Sequence, residues 1–335
     1  MRLPATLEAL YGQITSETDV IVVDDGSTDL TSSIAESFGT RVIRHEKNRG
    51  YGGARQTALE NCQTDILAFI DDECYISNDW FAILTHDWTN MDPEIVALAG
   101  PMLLQDNGFM SSFLIRNNPF SPIRSSNDDS RGFLNRLSQY FWPNFDMKSG
   151  FIESAANGNL SFRKIHLERV GGYNITLKSG GEDSDVCRRL LNEFGTRSIW
   201  FDSQLRITQK SFNGIGSILR RGYRYGTTAA LGWRDSGGVP TFLPIPAFLL
   251  ASTVSTSILL SYRVSLLLLL LFFVFINFPH IRRNHFSLTS ILLDPFLRLA
   301  IELFHNIGFI RSLIREWNNR RSMSGFFSKF ESNSK

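Results

Sequence analysis

Cysteine is scarce: Cys62, Cys74 and Cys187 are the only three in 335 residues. They show no metal-ligand spacing, and an odd count argues against a disulfide framework, so a reducing setting is the simpler one. An excess of either charge is also lacking. Lys and Arg (34) almost balance Asp and Glu (33), for a formal net charge of +1. No overall field therefore points to nucleic acid. The opening residues, MRLPATLEALYGQ, hold no apolar core of signal-peptide length. Internal spacing is too irregular for a repeat protein. Apolar residues are plentiful, at 43%, but unevenly spread. Up to about residue 238 the chain is mixed, whereas Phe242 to Phe278 is almost wholly apolar.

Within the mixed part, Asp65-Ile-Leu-Ala-Phe-Ile-Asp-Asp-Glu73 stands out. Five apolar residues that stop at three acids suit a strand buried on both faces. Its acids then lie at the carboxyl end, where ligands bind in open α/β sheets. Asp71, Asp72 and Glu73 would repel one another unless a cation joined them. Their hard oxygens point to Mg²⁺ or Mn²⁺, which usually accompany a diphosphate. The plain alternative is a solvated acidic turn.

A second run has the same form, Asp19-Val-Ile-Val-Val-Asp-Asp-Gly-Ser-Thr-Asp29. Between the two lie a predicted helix, Ser32 to Phe38, a short strand, Arg41 to Arg44, and a basic loop rich in glycine. The loop, His45-Glu-Lys-Asn-Arg-Gly-Tyr-Gly-Gly-Ala-Arg55, opens a predicted helix from Ala54 to Cys62. The alternation of strand and helix implies a mostly parallel α/β sheet. Loop amides, including that of Gly52, together with Arg49 and Arg55 would form an anion site. A loop that needs glycine only for positive φ is the competing reading.

VIVVDDGSTD, NRGYGGARQTAL and FIDDE, in that order and spacing, resemble the nucleotide-sugar half of family 2 glycosyltransferases, which have the GT-A fold. The resemblance covers roughly residues 1–235, with the donor half over 1–104 and the acceptor half over 105–235. It implies that Asp24 and Asp25, chiefly Asp25, meet the base and ribose. It implies that Arg55 and the loop amides hold phosphate oxygens and that Asp71, Asp72 and Glu73 carry the metal. Glu73 stands where the family usually has Asp. The family also begins with a strand reading roughly V-S-V-I-I-P-x-Y-N, and this chain starts where that strand should have ended. The expectation is therefore a sheet lacking its first strand.

A second constellation follows: Asn157-Gly-Asn-Leu-Ser-Phe-Arg163, Val170-Gly-Gly-Tyr173 and Gly180-Gly-Glu-Asp-Ser-Asp-Val-Cys-Arg-Arg189. Acids at a helix start are favoured by the helix dipole alone. Sugar transfer with inversion, however, needs a carboxylate to take the acceptor's proton. The block resembles the family's G-E-D-x-D region, which implies Asp183 as base with Glu182 as the alternative. Asp185 and Arg188 would serve the helix and the diphosphate. Asn159 and Arg163 would lie under donor or acceptor. Many relatives carry a metal-binding His near Thr208–Gln209; here Gln209 offers only an amide oxygen. The Q-x-x-R-W signature of processive synthases is absent. Residues 105–150 read as a long connection near the acceptor, with Phe141 and Phe145 either lining a groove or packing the loop.

Arg220, Arg221 and Arg224 fall on nearly one face of a predicted helix, which suits anionic lipid or plain solvent. Residues 240–279 read as a transmembrane or re-entrant hairpin with basic flanks, both ends cytosolic. Residues 286–316 read as an interfacial helix and 318–335 as a polar tail. The expected protein is a cell-membrane enzyme with its catalytic domain on the cytosolic side. It would move sugar from a nucleotide-sugar donor to a glycan or lipid-linked acceptor. The alternative is a degenerate, non-catalytic membrane-associated protein of the same fold.

Overall fold

Short, largely apolar runs form the strands, and those at 21–24, 66–70, 97–99 and 199–201 are followed directly by an acid or glycine. In the computed structural model the described residues are 3–117, 123–124, 147–210, 214–236, 254–255, 262–264, 266–268, 270–271 and 288–332. The chain divides into two units, Met1–Phe212 and Asn213–Lys335.

The first unit opens with α1 (Leu3–Tyr11), β1 (Ile21–Asp24), α2 (Thr31–Ser37), β2 (Arg41–Arg44), α3 (Gly50–Asn61) and β3 (Ile66–Ile70). It continues with β4 (Cys74–Ile76), α4 (Trp80–Asn90), β5 (Ala97–Ala99), β6 (Met102–Leu104), α5 (Phe109–Asn117) and β7 (Ile123–Arg124). Then come β8 (Gly150–Ser154), β9 (Asn159–Arg163), α6 (Lys164–Arg169), α7 (Glu182–Phe194), β10 (Ile199–Phe201) and β11 (Ile207–Gln209).

The pairing corrects the expected, mostly parallel sheet. The main sheet runs β3-β9-β5-β10-β8-β7, and β5 with β10 is its one parallel pair among the described residues. The reason is β9. It comes from the second constellation and inserts antiparallel between β3 and β5. β1 and β2 form a separate parallel pair, and β4-β11-β6 make a third sheet.

Two apolar cores flank the main sheet. One joins Leu67, Ile152, Phe162, Val186 and Phe201; the other joins Ile76, Trp80, Leu98 and Ile207. A smaller cluster of Leu3, Leu7 and Ala35 seats α1 on the β1–β2 pair. Thr6 Oγ1 donates to the carbonyls of Asp72 and Cys74, at 3.0 and 2.9 Å, and so ties α1 to the acidic turn.

The second unit contains α8 (Ile215–Ser236) and α9 (Leu288–Ser332). They pack closely. A Cβ on Gly226 would lie 1.8 Å from the His305 carbonyl oxygen, and one on Gly308 would lie 2.1 Å from that of Tyr223. α9 runs on to Ser332, so the polar tail expected from 318 continues the helix. The hairpin expected over 240–279 lies almost wholly outside the described residues, as do Phe141 and Phe145. Among the described residues no helix is long and apolar enough to cross a membrane.

Candidate active site

The two acid-ended strands are built differently. At the end of β1, Asp24 is buried and Asp25 half-buried. Asp24 accepts from Ser27 N at 2.7 Å and from the Ser32 hydroxyl. Burial pushes the Asp24 carboxyl up, but the bonds from Ser32 and Ser27 outweigh it and hold the group below its usual value. Asp25 accepts from Arg49 N at 2.8 Å and Gly50 N at 2.7 Å, and pairs with His45 Nδ1 at 2.6 Å. His45 is in turn fixed by Thr57, 2.9 Å from Nε2.

These bonds change the reading of the glycine-rich segment. Asp25 caps the start of α3, so the helix begins at Gly50, four residues before the expected start. The amides of Arg49, Gly50 and Tyr51 are engaged within the chain, since Tyr51 N donates to the Lys178 carbonyl at 3.1 Å. Gly52 faces chain, not an open phosphate site: its Cβ position lies 2.4 Å from the Asn174 carbonyl oxygen. At Gly50, whose φ is +81°, a Cβ would lie 2.4 Å from the Lys178 backbone. Glycine is needed at both places for close packing against residues 174–178.

The chemistry gathers around Arg55 instead. One arm of its guanidinium meets Asp71 Oδ1 at 3.3 Å, and another donates to Glu182 Oε1. Arg55 therefore joins the end of β3 to the start of α7, reaching Glu182 across 127 residues of sequence from its own position. Burial opposes its charge, but Glu182 and Asp71 more than compensate and raise its pKa further. Burial pushes Glu182 up to about 7, with Arg55 opposing and Asp183 adding to the rise. Asp183 is raised as well, chiefly by burial, although its carboxylate accepts from Ser184 N at 2.7 Å. Gly180 and Gly181, at φ +129° and +82°, make the turn that presents both acids.

Tyr173 and Asn157 complete the cluster. The Tyr173 hydroxyl donates to Asn157 Oδ1 at 2.9 Å, and its ring meets Phe69 edge-on. Asn157 Nδ2 and Glu182 Oε2 are buried without a hydrogen-bond partner. Orphan groups of this kind cost about 1–3 kcal/mol each, which a polar ligand could recover. Gly158 lets the β8–β9 turn approach Asp71: a Cβ there would be 2.6 Å from Asp71 Oδ2.

The acidic triplet spreads apart. Asp71 faces Arg55, Asp72 is exposed, and Glu73 Oε1 accepts from Gln209 Nε2 at 2.8 Å. Among the described residues no three His, Cys, Asp or Glu side chains are grouped to hold a metal ion. The oxygen chemistry suits Mg²⁺ or Mn²⁺, but this arrangement of Asp71, Asp72 and Glu73 does not fit one.

Other expected site residues are structural. Asn159 is buried and bonded to Trp80 Nε1 and to the carbonyls of Pro101 and Leu205. Arg163 donates to the Ile95 carbonyl and stacks on Trp88. Asp185 pairs with Arg188 and Arg189, both at 2.9 Å. The roles of Asn157, Tyr173 and His45 were not read from sequence. All three lie inside quoted segments, and only long-range pairing shows which positions face inward.

Residues 2–135 match the family model described as Glycosyl transferase family 2. A glucosyl-dolichyl phosphate glucuronosyltransferase of Haloferax volcanii is 24% identical over 220 residues, 62% of this chain and 64% of that protein. A pre-mycofactocin glycosyltransferase of Mycobacterium tuberculosis is 31% identical over 184 residues, 53% of this chain and 34% of that protein. The chain thus spans less than two thirds of either relative's length. In fold it is similar to a mannosyltransferase of Pyrobaculum calidifontis solved with GDP-Man and Mn²⁺: TM-score 0.54, 16% identity, 93% of this chain and 83% of that one. Residues 2–135 thus resemble family 2 glycosyltransferases, and the α/β fold is similar to that of the mannosyltransferase.

Proposed function

We propose that the chain transfers a sugar, with inversion, from a nucleotide-sugar donor to a lipid-linked or envelope-glycan acceptor. The observation that carries this reading is Arg55 between Asp71 and Glu182, which joins the acidic strand end to the second pair of acids. Asp183 is the general base. Its burial raises its proton affinity, as suits a base working near neutral pH. The acceptor oxygen attacks the sugar's C1, the bond from C1 to the diphosphate breaks, and the acceptor proton passes to Asp183. Arg55 supplies positive charge beside the departing diphosphate, and Glu182 holds the guanidinium in place. Tyr173 fixes Asn157, whose free amide hydrogens are aimed at a substrate hydroxyl. The lipid-linked acceptor draws support from the dolichyl phosphate named for the Haloferax volcanii relative.

A divalent cation belongs to the proposal through the acidic triplet and the Mn²⁺ of the mannosyltransferase structure. As arranged, the triplet does not fit a metal. That same misfit favours the second reading, a non-catalytic protein of this fold. The deciding experiment measures nucleoside diphosphate release from UDP-, GDP- and dTDP-sugars by the full chain, with Mg²⁺, with Mn²⁺ and with chelator. Release from one donor is expected, and the chelator arm tests whether the acidic triplet takes a metal once donor is bound. No release from any donor by folded protein, with lipid-linked acceptor supplied, would leave the non-catalytic reading.

A further inference from the structure

The second unit reverses the usual polarity of a helix pair. A helix at a protein surface normally turns its apolar stripe inward and its charges outward. Along α9 the buried residues include Asp294, Glu302, His305 and Ser312, none more than 8% exposed. Leu292, Phe296, Leu303, Ile307, Ile310 and Ile314 are 45% to 62% exposed. At 100° per residue these six fall on one side of α9, opposite the buried set. The seam with α8 is made by small residues: Gly222, Gly226 and Gly308 each bring backbone against backbone. Polar and small residues inside with aliphatic ones outside is how helices pair where the surroundings are hydrocarbon.

We propose that this outer face of α9 lies in the boundary layer of a lipid bilayer with anionic headgroups. Three further observations favour lipid as the occupant. Arg311 and Arg315 are exposed next to Ile310 and Ile314, and Arg220 and Arg224 are exposed on α8. All four have the charge that meets anionic headgroups. The chain between α8 and α9 contains the run from Phe242 to Phe278, almost wholly apolar, so both helices adjoin a segment suited to lipid. Arg298, Glu302 and Arg311 keep α9 from being a plain span, so it lies along the membrane. The basic flanks put it on the cytosolic leaflet. This goes beyond the transferase reading and holds whether or not sugar is transferred.

The test is a depth measurement on the full chain. Single cysteines replace Ile307 and Ile310, with Ser33→Cys on α2 as a control away from this unit. The native thiols are buried, and burial holds those of Cys74 and Cys187 well above the usual value, so an environment-sensitive fluorophore enters the new site. The protein is placed in phosphatidylcholine vesicles with and without phosphatidylglycerol, carrying nitroxides at shallow or deep acyl positions. Blue-shifted emission at 307 and 310, quenched at least about twofold by the shallow nitroxide and unchanged on dilution, is expected for a face some 5–10 Å into the boundary. The Ser33→Cys probe should stay water-exposed. Emission at 307 and 310 typical of water, while the protein floats with the vesicles, would overturn the proposal. So would shielding that disappears on dilution, which would make a second copy of the chain the occupant, or shielding already complete without lipid, which would make it the chain's own apolar segment.

Discussion

β1 and β3 both run from apolar residues into a cluster of acids, yet the acids have opposite fates. Those after β1 are used up by the chain itself. Asp24 takes two donors, and Asp25 takes two amides and an imidazole. Asp71 after β3 shares one guanidinium with Glu182 of α7, Glu182 Oε2 has no partner, and burial raises the pKa of Glu182 and Asp183. A well-bonded buried carboxylate contributes to stability, whereas an under-bonded one costs stability and keeps its affinity for a proton. The first cluster is therefore architecture and the second is suited to chemistry.

The largest effect that could break this contrast is on turnover. Asp183→Asn should lower the rate of transfer by roughly 10²–10⁴-fold, the usual weight of a general base. Donor binding should persist, and the melting temperature should hold or rise, since a buried charge is removed. Unchanged turnover would take Asp183 out of the reaction. Asp24→Asn should do the reverse: stability falls by about 2 kcal/mol, the scale of a bond to a charged group. For a unit of this size that lowers the melting temperature by about 5 °C. The sign follows from the depressed pKa. The contribution is complete above pH of about 4 and fades as pH falls through the native value. Equal melting curves at pH 7 would show Asp24 to be dispensable for the fold.

The smallest effect sharpens the second cluster. Burial and neighbouring carboxylates raise the proton affinity of both Glu182 and Asp183, so the rate should climb as pH rises through the range where the pair ionises, with Glu182 near 7. Glu182→Gln removes one negative neighbour and leaves Arg55 acting on Asp183. The midpoint of the pH–rate curve should move down. A midpoint that stays in place would mean the two carboxyls titrate independently.

Much of the local structure was legible. The apolar runs at 20–23 and 66–70 became strands, and the acids at 182–185 do open a helix. Partners were not legible. Nothing in residues 95–99 reveals that β5 takes β9 and β10 as neighbours, because pairing depends on the whole sheet. The glycine-rich segment misled for a related reason. Its free amides were judged from local sequence, but their acceptors, Asp25 and the Lys178 carbonyl, lie 24 to 127 residues away in the chain. Asn159 misled likewise: an amide in a motif looks chemical until Trp80, Pro101 and Leu205 claim all its bonds. The sequence pattern over 286–316 suggested an interfacial helix, but that Asp294, Glu302 and His305 form its covered side was not legible, because their neighbours on α8 are distant in sequence.

The strand order also bears on synthesis. β3 must wait for β9, and β5 must wait for both β9 and β10. At ribosomal speeds the β3 edge stands open for roughly 5–20 s before its partner is made. An unpaired apolar edge is then a place for wrong association, and pairings so far apart in sequence form slowly. Expression at low temperature, with slower translation and more time for holding chaperones to act, should give more soluble protein than fast synthesis, because this sheet cannot close until residue 201 has left the ribosome.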